Sequence, residues 1–284
     1  MSRTVAVVLT LVAYKLLLLG IGVLASRFTK DDGDFYLGGR QLGPWVSALS
    51  ASASSSSAWS LLGVSGAAWA WGLGAIWIFP ACIAGFLVNW GLVAPRLQRV
   101  SHDTGAITLT EVLAPDGAPM ARAIRWTGAL VIVLSFTAYV AAQFQGAGKT
   151  FHETFDLGLF ESVMLGAAVV MAYTLLGGFW AVSLSDTVQA GAMALAAILV
   201  PGMLLWQVGG PAELWAGMQA VPIDGYASLT RGMAPAAAAG FVAGILGIGL
   251  GYPGQPHVLA RFMALADRPG AVRTAGTVAV AWGS

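Results

Sequence analysis

Apolar stretches long enough to cross a bilayer recur along the chain, separated by polar connections. They lie near 5–25, 44–66, 74–94, 122–148, 161–180, 187–208 and 235–255, and a further one starts near Ala271 and stops at Ser284. A spanning helix needs about 20 predominantly apolar residues. The pattern therefore predicts an all-α polytopic membrane protein. The run from Ala271 is too short to cross, so the expectation is a fragment of a longer protein that ends inside an element.

Two of these spans are interrupted. The second contains Ala48-Leu-Ser-Ala-Ser-Ala-Ser-Ser-Ser-Ser-Ala-Trp59, a run of small and hydroxylated residues flanked by apolar sequence. Backbone that unwinds around an ion, or approaches a ligand closely, needs such residues. A helix-packing face of small residues is the alternative. The last full span ends in Gly247-Ile-Gly-Leu-Gly-Tyr-Pro-Gly-Gln-Pro-His257. Alternating glycines followed by two prolines do not continue as regular helix. Two interrupted spans in corresponding positions of two repeat halves are the sequence mark of a transporter binding site.

Charge orients the layout. The connections after the first, third and seventh spans carry Arg27, Lys30, Arg40, Arg96, Arg99, Arg122, Arg125, Arg261, Arg268 and Arg273, against Arg3, Lys149 and Arg231 on the other side. The positive-inside rule then places the N-terminus outside. Lys15 lies inside the first span, where it snorkels or faces a neighbour. Arg40 stands at the cytoplasmic mouth of the second span, either as an orienting charge or beside the inner exit of a transport path.

Composition agrees with a membrane protein: 57% of residues are hydrophobic, 10% are charged and the mean hydropathy is +0.77. No basic run suggests nucleic acid. The single cysteine, Cys82, has no intrachain disulfide partner and reads as a small buried hydrophobe. No nucleophile motif, phosphate loop or paired carboxylate supports enzymatic chemistry, and His257 lacks neighbours at metal-ligand spacing. Within the fourth span Tyr139, Gln143 and Gln145 need polar partners, across to a neighbour or lining a cavity. The fifth span breaks at Gly177-Gly178, and Ser185 or Asp186 is expected to cap the next helix. Asp186 is also the acid nearest a span interior, which admits a role in an ion exit path.

Several stretches together resemble the sodium:solute symporter family. They are Tyr36-Leu-Gly-Gly-Arg-Gln-Leu-Gly-Pro44, Ala48-Leu-Ser-Ala51, Ser57-Ala-Trp59, Gly177-Gly-Phe-Trp-Ala-Val-Ser183, Asp186-Thr-Val-Gln-Ala190, Gly249-Leu-Gly-Tyr252 and Gly254-Gln-Pro-His-Val-Leu-Ala-Arg-Phe-Met263. The resemblance implies a five-plus-five inverted-repeat transporter fold, truncated in the second repeat. Residues 5–25 would be an added helix, 44–208 the first repeat and 235–284 the start of the second. It implies a sodium-coupled symporter importing proline or a similar small solute by alternating access across the cytoplasmic membrane, with sodium as the co-transported ion and no other cofactor. Backbone around Ala53 and Ser56 would bind sodium, with Ser55 in the same region. Ser57 would serve both sodium and substrate. Tyr139, Tyr252 and Pro256 would contact substrate, and Arg40 and Asp186 would act in coupling. Ser55 stands where proline-carrying members have an acidic residue, and Ile248 where they have tryptophan. The remaining sodium ligands would come from a Ser/Thr-bearing helix of the second repeat beyond this sequence. The alternatives are a membrane solute-sensor module of a transporter-like histidine kinase, a symporter for another amino acid or small carboxylate, and coupling to protons.

Overall fold

A computed structural model describes residues 3–283; Ser284, where the last apolar run stops, lies outside them. Helices account for the architecture, and no strand occurs among the described residues. Among the described residues five segments, against the seven full spans expected, are long and apolar enough to cross a membrane: Val5–Phe28, Trp59–Thr104, Ala121–Phe155, Thr174–Val208 and Pro235–Gly254; Leu159–Ala172 is apolar but shorter. Helix α1 is Arg3–Ala25, and the short α2, Asp32–Leu37, is capped by the Asp31 side chain. Helix α3 is Pro44–Ser55, with proline in its first turn, where the missing N–H costs nothing.

The second span continues through a π-helical turn, Trp59–Gly63, into α4, Val64–Trp71. Helix α5 is Ile78–Val88; a second π-helical turn, Asn89–Val93, joins it to α6, Ala94–Thr104. A capping box at Thr108 and Glu111 starts α7, Leu109–Leu113. Helix α8 is Ala121–Phe155 and α9 is Leu159–Val208. After α10, Pro211–Ala220, comes α11, Pro235–Leu246. It passes into a 3-10 stretch, Gly247–Gly254, and then into α12, Pro256–Met263. Helix α13 is Ala271–Gly283.

The expected breaks in the second and last spans are therefore present. The fifth and sixth spans differ from expectation. The chain turns at Gly178 alone (φ 54°, ψ −145°), and helix resumes at once, so no loop separates the two spans. Asp186 lies well inside α9, and the expectation that Ser185 or Asp186 caps a new helix is not met. Both the Gly178 turn and the close approach of Phe35, 2.9 Å from where a Cβ would stand, require glycine.

The dense core gathers at one end of the molecule. Ala48 and Ala51 of α3, Phe86 of α5, Trp90, Leu97 of α6, Val258, Leu259, Phe262 and Met263 of α12, and Ala275 and Ala279 of α13 form one cluster. Small residues on α3 allow α9, α12 and α13 to pack closely around it. A backbone bridge closes the same end: Leu42 N–H donates to the Ala264 carbonyl at 3.1 Å, and Ala266 N–H to the Leu42 carbonyl at 2.9 Å. Helices α8 and α9 instead turn Leu130, Val133, Leu134, Leu195, Ile198 and Leu199 outward. Such faces suit hydrocarbon as solvent.

Gly178→Ala is expected to destabilise the protein by about 1–3 kcal/mol, read as a lowered thermal midpoint in detergent. Gly20→Ala, where a Cβ meets nothing within 4 Å, should leave the midpoint within experimental scatter.

Candidate functional site

The serine run ends α3. Ser56 is extended (φ −84°, ψ 146°), and its N–H reaches back to the Ala53 carbonyl at 3.1 Å. The hydroxyls of Ser55 and Ser56 donate to the Ser52 carbonyl at 2.7 and 3.3 Å. Hydroxyls that compete with the backbone ladder in this way favour helix ends over helix interiors. Ser57 opens the next half: its hydroxyl accepts from Trp59 N–H at 3.1 Å, and its own N–H donates to the Ser60 hydroxyl at 3.1 Å. The Ala58 N–H, left free by the break, donates to Gln143 Oε1 of α8 at 2.7 Å. Gln143 thus finds its partner across to a neighbouring helix, whereas Gln145 is exposed.

The second break is built differently. Gln255 is extended, and its carbonyl accepts from Val258 and Leu259 N–H, starting α12 behind Pro256. Asn89, at the head of the π-helical turn, donates to the Tyr252 carbonyl at 3.2 Å. The Tyr252 ring packs on Phe86 at 5.3 Å, and its phenol interacts with Cys82. Cys82 is half-buried rather than a fully enclosed hydrophobe.

His257 brings the two breaks together. Its Nε2 lies 2.9 Å from the Ser54 carbonyl, and its ring stands 5.2 Å from Phe136 and 5.7 Å from Tyr139. The bond to a carbonyl fixes the proton on Nε2 and leaves Nδ1 as an acceptor. Tyr139 in turn interacts with the Ser57 side chain. Ser54, Ser57, Tyr139 and His257 therefore form one cluster, next to Pro256. Tyr252, by contrast, makes its ring contact on α5.

Beneath that cluster lies a buried ion pair. Arg261 Nη2 donates to Asp186 Oδ2 at 2.8 Å, with side chains 7% and 14% exposed. The hydroxyls of Ser50 and Ser54 donate to the same oxygen at 2.9 Å each. Arg261 also donates through Nε to Ser50 Oγ at 3.0 Å and through Nη1 to the His257 carbonyl, and it stacks on Phe179 at 5.2 Å. Ser47 Oγ donates to the Arg261 carbonyl at 2.9 Å. Arg261 is thus an interior cation and drops out of the loop charges that orient the chain. Breaking such a pair by removing one partner typically costs about 3–5 kcal/mol.

The sequence reading did not single out Ser50, Ser54, Asn89 or Arg261 as site residues. Two signals were available. Ser50 and Ser54 are four apart and share a helix face. Arg261 lies four residues after His257, among Val258, Leu259, Ala260, Phe262 and Met263, a setting foreign to a loop charge.

Arg40 is not part of the cluster. Its Nη2 donates to the carbonyls of Ala106 at 2.8 Å and Ser101 at 3.3 Å, holding the C-terminal end of α6. A cation there also suits the helix dipole. Lys15 stands 5.7 Å from the Tyr14 ring in α1.

A model of the sodium:solute symporter family matches residues 35–282. The chain belongs to this family. It is similar to the sodium/proline symporter of Salmonella typhimurium, 38% identical over 99% of this chain and 55% of the relative. The sodium/proline symporter of Escherichia coli is 37% identical over the same shares. The osmoregulated proline transporter of Bacillus subtilis is 36% identical over 93% of this chain and 53% of its own length. The chain spans about half the length of the curated relatives it matches.

Gln143→Leu removes the acceptor of the Ala58 N–H at the break that follows α3. A loss of about 1–3 kcal/mol in stability is expected. Gln143→Glu, which keeps an acceptor oxygen, should recover most of it in the same thermal measurement.

Proposed function

We propose that the protein is a sodium-coupled symporter that imports proline or a closely similar solute across the cytoplasmic membrane by alternating access. One observation carries this reading furthest: two interrupted helices meet, through His257 and the Ser54 carbonyl, beside Ser57 and Tyr139. In this reading 44–208 is the first half of a five-plus-five inverted repeat, the second half opens at 235, and 5–25 is an added helix. The N-terminus lies outside, so α12 and the start of α3 face the cytoplasm.

Sodium is a hard cation that takes carbonyl and hydroxyl oxygens. The Ala53 carbonyl accepts one bond, from Ser56 N–H, and a carbonyl has two lone pairs. Together with the Ser56 carbonyl and the hydroxyls of Ser55 and Ser57, it offers part of such a site. Ser57, Tyr139, Tyr252 and Pro256 are assigned to the solute. Asp186 acts in coupling through Ser54, which it shares with the unwound segment, and Arg40 acts by holding α6. The names of the similar relatives favour proline among solutes.

The test is uptake of labelled proline by cells expressing the protein. Accumulation should require sodium and fall to background when choline replaces it at constant pH. Ser57→Ala should raise the half-saturating sodium or proline concentration about tenfold, roughly 1.4 kcal/mol of lost binding. Equal uptake in choline would overturn sodium coupling. Accumulation of other solutes without competition by proline would overturn the choice of solute.

A further inference from the structure

The bonds to Asp186 are lopsided. Ser50, Ser54 and Arg261 all converge on Oδ2. Among the described residues Oδ1 carries no hydrogen bond, and it is not one of the buried unpartnered atoms. One carboxylate oxygen is therefore held by a fixed guanidinium, and the other is accessible. Ser54 connects this carboxylate to the unwound segment: its hydroxyl binds Asp186, its carbonyl binds His257, and its chain neighbours are Ala53 and Ser55. Arg261 is not free to swing. Its Nε, Nη1 and Nη2 are committed to Ser50, His257 and Asp186, and Phe179 covers its face.

We infer that Arg261 is a positioning residue acting as a tethered counter-cation: it supplies the positive charge Asp186 needs when no ion is bound, and it opposes the co-transported cation at the unwound end of α3. The inference rests on the sodium-coupled reading above. A carboxylate in a low-dielectric interior needs a cation close by. Two cations sharing one carboxylate weaken each other's hold, because each feels the other's repulsion. The penalty is reciprocal: what sodium loses to Arg261 on binding, Arg261 loses to sodium. Arg261 also binds α3 through Ser50 and Ser47, and belongs to α12. An arriving ion therefore loosens the contact between the inner halves of both broken helices, and its departure restores that contact. Ion occupancy and the packing of α12 on α3 become one equilibrium.

Sodium binding to purified protein, followed by tryptophan fluorescence, and sodium-driven proline uptake in proteoliposomes are measured side by side. Arg261→Gln should lower the half-saturating sodium concentration by at least about 5-fold while slowing maximal uptake. Arg261→Lys, which keeps the charge, should hold the sodium constant near the wild-type value. A residue with a purely structural role would lower the amount of active protein without tightening sodium. Should Arg261→Gln not fold, Asp186→Asn is compared with Asp186→Asn/Arg261→Gln, and the double variant should bind sodium more tightly than the single. Unchanged or weaker sodium binding in a folded Arg261→Gln protein, or equal constants in the second comparison, overturns the inference alone. No sodium response in the wild type overturns the symport reading and this inference with it.

Discussion

A full positive and a full negative charge, shut between helices, must remain within hydrogen-bonding distance of each other, and the packing at the core end of this molecule follows from that requirement. Asp186 sits on α9, Arg261 on α12, and the serines that complete the pair on α3. The three helices are thereby fixed in rotation as well as in distance. Apolar contact alone would tolerate a slide of a fraction of a turn; this network would not, since a shift of α12 by one residue carries the guanidinium off the carboxylate. Buried ion pairs are weak sources of net stability, because desolvation offsets their attraction, but losing one partner is costly. The small side chains of α3 fit the same demand. Ser47, Ala48, Ser50, Ala51 and Ser52 are buried, and bulkier residues there would hold α9 and α12 too far apart for the pair to close.

The two breaks are not equivalent, and the difference has a physical source. At the first, side-chain oxygens do the work. Ser55, Ser56, Ser57 and Ser60 satisfy backbone groups locally, and Gln143 reaches across from α8 for the one amide they leave. At the second, backbone conformation does the work: glycines and Pro253 tighten the chain into a 3-10 stretch, and Gln255 turns it into α12. Gly249 and Gly85 let that stretch lie directly on α5, where a Cβ at Gly249 would come 2.4 Å from the Ala81 carbonyl. The first break thus presents hydroxyls and carbonyls, and the second presents an aromatic ring and a compact backbone. Oxygen-rich and apolar surfaces meet at His257.

Much of this was legible in the sequence, because hydropathy and helix-breaking residues act locally. The apolar runs give the all-helical membrane character, though five segments rather than seven qualify as spans among the described residues, and the serine run and the glycine–proline run mark the breaks. What was not legible depends on contacts between residues far apart in the chain. Asp186 reads as a helix cap after a double glycine, yet Gly178 absorbs the turn by itself and the helix continues past the carboxylate. Arg261 reads as a loop charge, since a basic residue after the last span is the usual orienting signal. Only the partner 75 residues earlier makes its burial tolerable. The resemblance assigns Tyr139 and Tyr252 alike to the solute, and only the folded chain shows that the Tyr252 ring packs on Phe86 while Tyr139 stands beside His257.

Ser55 sharpens the electrostatic argument. Its hydroxyl donates to the Ser52 carbonyl and keeps its lone pairs, and like the rest of the unwound segment it carries no formal charge. The carboxylate nearest this segment is Asp186, which is bonded to Ser54 in the last turn of α3 and to Ser50 one turn earlier. A cation held by neutral oxygens alone depends strongly on the nearest fixed charges, whose influence grows as the local dielectric falls. A cation at the proposed site would be attracted by Asp186 and repelled by Arg261, which stand 2.8 Å apart. The field at the break therefore combines two opposed contributions, and it depends on how α12 packs against α3 and α9. If an ion binds there as proposed, its affinity would depend on how the helices pack, and conformation and occupancy would be coupled.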